Sequence, residues 1–123
     1  MLSSLSAAGL SLGAPAWAHH STALFDMNTE VTLTGTVKQF QWMNPHTWIV
    51  LEVPNANGGV DEYGIEGMSP SNLARNGWSK HSLNAGDKVV LTIHPLKDGR
   101  KGGFDVSVQL PNGQRLYNLP HRS

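Results

Sequence analysis

Apolar and polar residues alternate in several short runs, which is the pattern of half-buried β-strands. The alternation is clearest over residues 104–110, where Phe104, Val106, Val108 and Leu110 are expected to face inward. The residues between them, Asp105 included, are then expected to face outward. Similar runs predict strands over residues 31–42, 47–53, 62–66, 88–93 and 114–119. The chain is therefore expected to be mainly β.

The first of these runs changes face part of the way along. Leu33 and Val37 share one parity, whereas Phe40 and Trp42 take the other. A bulge inside the strand produces such a change, and a glycine within a strand often marks a bulge. We therefore expect a bulge or a sharp coil in this strand, and Gly35 is well suited to it.

One short helix is predicted between the third and fourth strands. Ser69 can cap it, Pro70 suits its first position and Gly77 suits a left-handed stop. About two turns at ~3.6 residues each would present Leu73 and Trp78 as a lid. The order of three strands, helix and further strands predicts a small OB-like antiparallel β-barrel of five to six strands. A β-sandwich is the alternative, because short alternating strands suit it too.

The stretch from residue 35 to 53 joins two strands through the polar corner Asn44-Pro45-His46. Proline lacks a backbone donor and favours an extended residue before it, so Asn44-Pro45 should end the first strand. If Trp42 and Trp48 share a face, these indoles and Asn44 would line a groove for a small apolar or ring-shaped ligand. Packing in the core is the alternative for the tryptophans.

Residues 1–18 predict a signal peptide. They contain no charged residue and end in Ala16-Trp17-Ala18, a small-x-small cleavage pattern. The apolar body is too short for a membrane span, which needs about 20 residues. Cleavage would leave residues 19–123 as a single β-barrel domain in the periplasm. A disordered N-terminal tail is the alternative.

Composition narrows the classes of function. Nine basic and nine acidic residues balance, so no overall positive field attracts nucleic acid. The chain has no cysteine, which excludes disulfides and thiolate chemistry. No phosphate-binding loop or nucleophile elbow is present. Glu62 and Glu66 fall on one outward strand face, where we expect solvated charge rather than an acid–base pair. A hydrolytic site is therefore not expected, and the protein is more simply a binding module than an enzyme.

Cleavage after Ala18 would expose the α-amine of His19 beside its own imidazole. A second imidazole from elsewhere completes a three-nitrogen site of the kind called a histidine brace. Nitrogen donors in tetragonal geometry suit Cu(II). His46 is favoured as the second histidine because it follows a rigid turn, and the further candidates are His20, His81 and His94.

Other arrangements stay open. Cleavage after Ala16 or Trp17 would place a histidine third in the mature chain, where amine, two backbone amides and imidazole bind Cu(II) in a square plane. Two further functions are considered: a non-metal adaptor or ligand-binding barrel of the cell envelope, which could bind a protein partner through an edge strand, and a copper-dependent redox enzyme.

Several motifs resemble one family: Ala18-His19-His20-Ser21, Gly35-Thr36-Val37, Trp42-x-Asn44-Pro45-His46 and Ser69-Pro70-Ser71-Asn72-Leu73-Ala74-Arg75-x-Gly77-Trp78. They are similar to an uncharacterised family of short exported bacterial proteins, domain of unknown function 6152. The resemblance covers nearly the whole mature chain. It implies export and a small OB-like β-barrel, and it supplies neither an activity nor a catalytic residue.

Overall fold

The computed structural model describes residues 23–121. These residues form six strands and one well-defined short helix. In chain order the elements are β1 (Val31–Gln41), β2 (Trp48–Pro54), β3 (Val60–Glu66), α1 (Pro70–Arg75), β4 (Lys88–Pro95), β5 (Gly102–Gln109) and β6 (Arg115–Tyr117).

The strands form one sheet that closes on itself. Its order is β3-β2-β1-β4-β5-β6, and all of these neighbours run antiparallel. A parallel pairing of β3 with β5 closes the first five strands into a barrel, and β6 extends the sheet beyond β5. The small barrel with a helix between β3 and β4 is therefore confirmed. The sheet is mixed rather than wholly antiparallel, and the sandwich alternative is wrong because the sheet is closed.

The barrel interior is filled by aliphatic side chains from all five strands. They include Leu33, Val37, Ile49, Leu51, Ile65, Val89, Leu91, Ile93 and Val108. Burying one such side chain contributes about 1.5–3 kcal/mol, so this cluster dominates the favourable side of folding. Leu73 and Trp78 close one end as expected, and the Trp78 indole N–H donates to the Tyr117 carbonyl at 2.9 Å.

The helix has the ends that its sequence predicts. Ser69 is the N-cap, and its hydroxyl accepts from the backbone N–H of Asn72 at 3.3 Å. Pro70 occupies the first helical position, where its missing N–H costs nothing. Gly77 takes a positive φ of 92°, which lets the chain leave the helix. The capping prediction is confirmed.

The bulge in β1 lies three residues beyond the predicted one. The register with β2 shifts between Val37 and Gln39, so Lys38 is the additional residue. Gly35 is required for another reason, because a Cβ there would collide with the Glu52 carbonyl oxygen of β2. The change of face was therefore predicted correctly, but its position was wrong.

The outward orientation expected for Asp105 is wrong. The register between β4 and β5 shifts so that Ser107 pairs with Thr92 while Asp105 pairs with Ile93, which leaves Val106 as an additional residue. This shift puts Asp105 opposite a core residue, and it is only 2% exposed. Burial raises the pKa of the Asp105 carboxyl well above its usual value. Ser107 also proves buried.

We expect Gly67→Ala to destabilise the fold and Gly64→Ala to be harmless. A Cβ at Gly67 would lie 2.5 Å from the Thr47 hydroxyl, whereas one at Gly64 meets nothing within 4 Å. Overpacking costs about 1–3 kcal/mol, while alanine in compatible space adds up to about 1 kcal/mol of stability. Urea unfolding measures both free energies. Equal unfolding free energies for the two variants would contradict the close approach of the Gly67 backbone to Thr47.

Asp105→Asn should change how stability depends on pH. Below about pH 4 the carboxyl is protonated in both folded and unfolded chains. As pH rises further, the unfolded chain releases the proton first, so the wild type loses stability by at most about 1.4 kcal/mol per pH unit. The variant lacks this loss, so its stability relative to that of the wild type should rise as the pH is raised above about 4, as measured by denaturant unfolding. Asp98→Asn is the control, because hydrogen bonds from Arg100 lower the pKa of that exposed carboxyl. If the difference in unfolding free energy between the wild type and Asp105→Asn does not change with pH, the raised pKa of Asp105 is contradicted.

Candidate functional site

The turn between β1 and β2 is fixed to the end of β3 by three hydrogen bonds. The Thr47 N–H and hydroxyl both donate to the Met68 carbonyl, at 3.1 and 2.8 Å. The Gly67 N–H donates to the Thr47 carbonyl at 2.8 Å. Thr47 is itself buried. The residue before it, His46, is therefore held at the rim of the barrel beside the last residues of β3.

Asn118 supports the same crossing from the other side. Its side-chain oxygen accepts from the Met68 N–H at 2.8 Å, and its backbone carbonyl accepts from the Asn76 side chain at 3.2 Å. Asn118 is 1% exposed. The end of β3, the end of α1 and the chain after β6 are thereby joined.

His46 and Glu66 form an ion pair across this rim. The His46 Nε2 lies 3.8 Å from the Glu66 Oε2, with side chains 29% and 5% exposed, respectively. The outward face expected for Glu66 is correct, but the solvation expected there is wrong, because the side chain is buried. Glu66 does lie on the outer face of β3, like Glu62, but the register places it opposite Trp48, at an end of the strand that other groups cover.

The separation of these two atoms permits a shared ion. At 3.8 Å it exceeds the 2.7–3.2 Å usual for an N–H···O hydrogen bond. Two ligand atoms held about 2.0–2.1 Å from one ion lie about 2.8 Å apart at a right angle and about 4.2 Å apart when opposite. The 3.8 Å between the imidazole nitrogen and the carboxylate oxygen lies between these two values.

A cavity of about 300 Å³ opens beside the pair. It lies between the outer face of β2 and β3, the loop after β4, and the chain just before β1. We call it the Trp48 groove. Its lining residues are Leu24, Phe25, Trp48, Gly64, Glu66, Leu96, Arg100 and Gly103.

The start of the described chain is anchored along this groove. The Leu24 carbonyl accepts from the Lys97 N–H at 2.9 Å, and the Asp26 N–H donates to the Pro95 carbonyl at 2.9 Å. Phe25 is 3% exposed and packs on Phe104, with ring centroids 5.7 Å apart. The segment that leads back to residues 19–22 therefore enters the structure at the groove.

The loop between β4 and β5 contains basic residues, but the charge of Arg100 is paired with an acidic residue of the same loop. The Arg100 side chain donates through Nε to the Asp98 carboxylate at 2.7 Å. The Arg100 backbone N–H donates to the same carboxylate at 3.0 Å. These two hydrogen bonds, the backbone one first, lower the pKa of Asp98.

The structure separates the two tryptophans of the predicted ligand groove. Trp42 packs edge-on against Phe40, with centroids 5.8 Å apart, and Phe40 in turn contacts Trp78. Trp48 is half-buried and lines the Trp48 groove instead. Asn44 is exposed at the turn, before a cis peptide bond to Pro45. Ligand binding by Trp42, Asn44 and Trp48 stays a prediction.

The other histidines occupy varied settings. The His94 Nδ1 lies 2.9 Å from the Thr29 carbonyl oxygen, and its ring stacks on Phe104. His94 therefore bonds to the backbone near the end of β4. His121 stacks on Tyr117 with centroids 3.8 Å apart, and His81 is exposed. His19, His20 and the proposed signal peptide lie outside the described residues.

Glu66 is the residue that sequence reasoning missed. A signal for it existed in the β2–β3 hairpin, because the loop from residue 55 to 59 fixes the register of the two strands. Counting back from that loop places Glu66 directly opposite Trp48, next to the corner that holds His46. The parity of the strand alone could not show that this end of its outer face is covered.

The described residues limit the kinds of site and membrane association that this part of the chain provides. Between residues 23 and 121, no three histidine, cysteine or acidic side chains cluster in a way that could hold a metal ion. Within the same stretch, no helix combines the length and the apolar character that crossing a bilayer requires. A metal site therefore needs a donor beyond the His46–Glu66 pair.

Fold and site together define a small closed β-barrel with a histidine–carboxylate pair at one rim. Residues 8–106 match the model of a family described as a family of unknown function (DUF6152), and the chain belongs to that family. No curated protein and no solved structure matches the chain.

Proposed function

We propose that this protein is an exported, periplasmic binding module that captures Cu(II). The ligands are the α-amine and imidazole of a mature N-terminal His19 together with the imidazole of His46. The observation that carries the proposal is the placement of His46, which faces the buried Glu66 at the rim where the chain from residue 19 enters the fold.

Chain length supports this arrangement. His20 and His19 precede Ala23 by three and four residues, and four extended residues span at most about 14 Å. Leu24, the next residue, lines the same groove as Glu66. The length of this segment therefore allows both N-terminal histidines to reach the groove that Glu66 lines, and His20 is an alternative donor to the same ion.

The donor chemistry favours Cu(II) over other cations. Amine and imidazole nitrogens suit this ion, which also heads the affinity order of the divalent first-row metals. Glu66 adds a negative charge that offsets part of the charge of the ion in a partly buried place. Neither thiolate nor disulfide chemistry competes, because the chain has no cysteine.

Copper titration of the mature protein, residues 19–123, tests the proposal. Intact mass first establishes that His19 is the terminus, and calorimetry with Cu(II) should then show one ion per chain. His46→Ala should weaken binding at least tenfold, or about 1.4 kcal/mol. His81→Ala is the matched control, because that exposed histidine lies in the chain between α1 and β4.

A chain whose His19 amine is acetylated should also bind weakly, because that nitrogen is then an amide and no histidine has been moved to the third position, where it would bind Cu(II) in another way. Failure of the wild-type chain to bind Cu(II) would refute the proposal. Equal affinity of the wild type and the His46→Ala variant would remove His46 from the site.

Glu66→Gln isolates the contribution of the carboxylate. The substitution keeps the shape of the side chain but removes its charge, and loss of such a supporting group typically weakens metal binding by about 10–100-fold. Glu62→Gln is the control on the same strand, since its side chain is 55% exposed and pairs with Lys38. Cu(II) calorimetry should separate the two variants, and identical affinities would show that Glu66 is only structural.

A further inference from the structure

Gly64 lines the Trp48 groove and contributes no side chain to it. Apart from its neighbours in the chain, no described atom lies within 4 Å of the point where a Cβ of this residue would stand. On the paired strand β2, Val50 lies directly opposite Gly64. The sheet therefore has open space on the side-chain face of Gly64.

The groove offers a particular combination of groups around Gly64. The Trp48 indole and the Phe25 ring provide aromatic surface, and the Glu66 carboxylate provides a buried negative charge. Aromatic faces attract cations, and a buried carboxylate is stabilised by a positive or hydrogen-donating partner. An occupant that matches these groups carries an amine or imidazole and short polar side chains.

The chain itself supplies such an occupant. Residues 19–22 are His-His-Ser-Thr, which after cleavage offer an α-amine, two imidazoles and two hydroxyls. They connect directly to Ala23 and Leu24, and Leu24 is anchored at the groove by the Lys97 N–H. A free ligand would have to compete with a segment that is covalently confined to the same place.

We infer that the Trp48 groove is the docking seat of residues 19–22, with the α-amine and imidazoles directed at Glu66 and His46. The inference deepens the proposed function and rests on it in taking His19 as the mature terminus. Fixing a backbone residue costs about 1–2 kcal/mol. A segment that is seated before the metal arrives has already met that cost, so the seat increases the affinity for Cu(II).

Gly64→Val tests the seat without disturbing the ligands. Valine suits a strand, and the open space at Gly64 accepts its first side-chain atom. The side chain then occupies the floor of the groove. Glu62→Val is the matched control, because it places the same side chain two residues away on the same face, outside the groove. Thermal unfolding followed by circular dichroism establishes that both variants are folded.

The readout is NMR of the metal-free mature protein, followed by Cu(II) titration. We expect contacts between the Trp48 indole and the ring protons of His19 or His20 in the wild type and in Glu62→Val. Gly64→Val should lose these contacts and bind Cu(II) at least tenfold more weakly. Absence of the contacts in the wild type, or their survival in Gly64→Val, would overturn the inference.

The outcomes also distinguish a failure of the docking inference from a failure of the copper proposal. Histidine–Trp48 contacts in a chain that binds no Cu(II) would support the seat and refute the copper proposal. Equal Cu(II) affinity of wild type and Gly64→Val, without contacts, would overturn the seat and leave copper capture standing. Trp48 signals that shift with protein concentration would assign the groove to a second copy of the chain and overturn the inference.

Discussion

The crossing of the β1–β2 turn over the end of β3 is the constraint on which the site depends. The Thr47 and Gly67 backbones meet so closely that a side chain at Gly67 has no room. Three hydrogen bonds then fix Thr47 to residues 67 and 68. His46 and Glu66 each directly precede a residue of this crossing. A rigid contact between backbones therefore sets the distance between the His46 and Glu66 side chains.

Local signals in the sequence predicted most of the fold. The ends of the helix follow from the conformational preferences of Ser69, Pro70 and Gly77, and the alternation of apolar and polar residues locates the strands. The predictions were wrong where the pairing register between strands determines which way a residue faces. The positions of the bulges in β1 and β5 depend on which partner residue each strand meets, so Gly35 was misread and Asp105 was placed on the wrong face. No periodicity within one strand contains that information.

Of the two residues that face each other at the rim, the sequence indicated His46 but not Glu66, again because strand register cannot be deduced from the periodicity of one strand. His46 stood out because proline and two tryptophans mark its turn. Glu66 did not, because an acidic residue at alternating spacing resembles solvated charge until the groups that cover it are known. The tryptophans show the converse: similar residues close in sequence are divided by the turn, with Trp42 packing on Phe40 and Trp48 facing the groove. Pairing across strands, rather than residue type, decides here which residues face the groove and which pack in the core.

Desolvation destabilises a charged carboxylate, so a buried one either is stabilised by neighbouring groups or becomes neutral. Asp105 and Glu66 illustrate two solutions within one small barrel. Asp105 lies opposite core residues, and its raised pKa shows that burial favours the neutral acid. Glu66 lies at the rim, where a histidine faces it and the chain from the N-terminus enters. Under the proposed function, cleavage before His19 creates an α-amine at a point of the chain where the uncleaved protein has an amide. Export and metal capture would then be coupled, because cleavage itself would create one of the metal ligands.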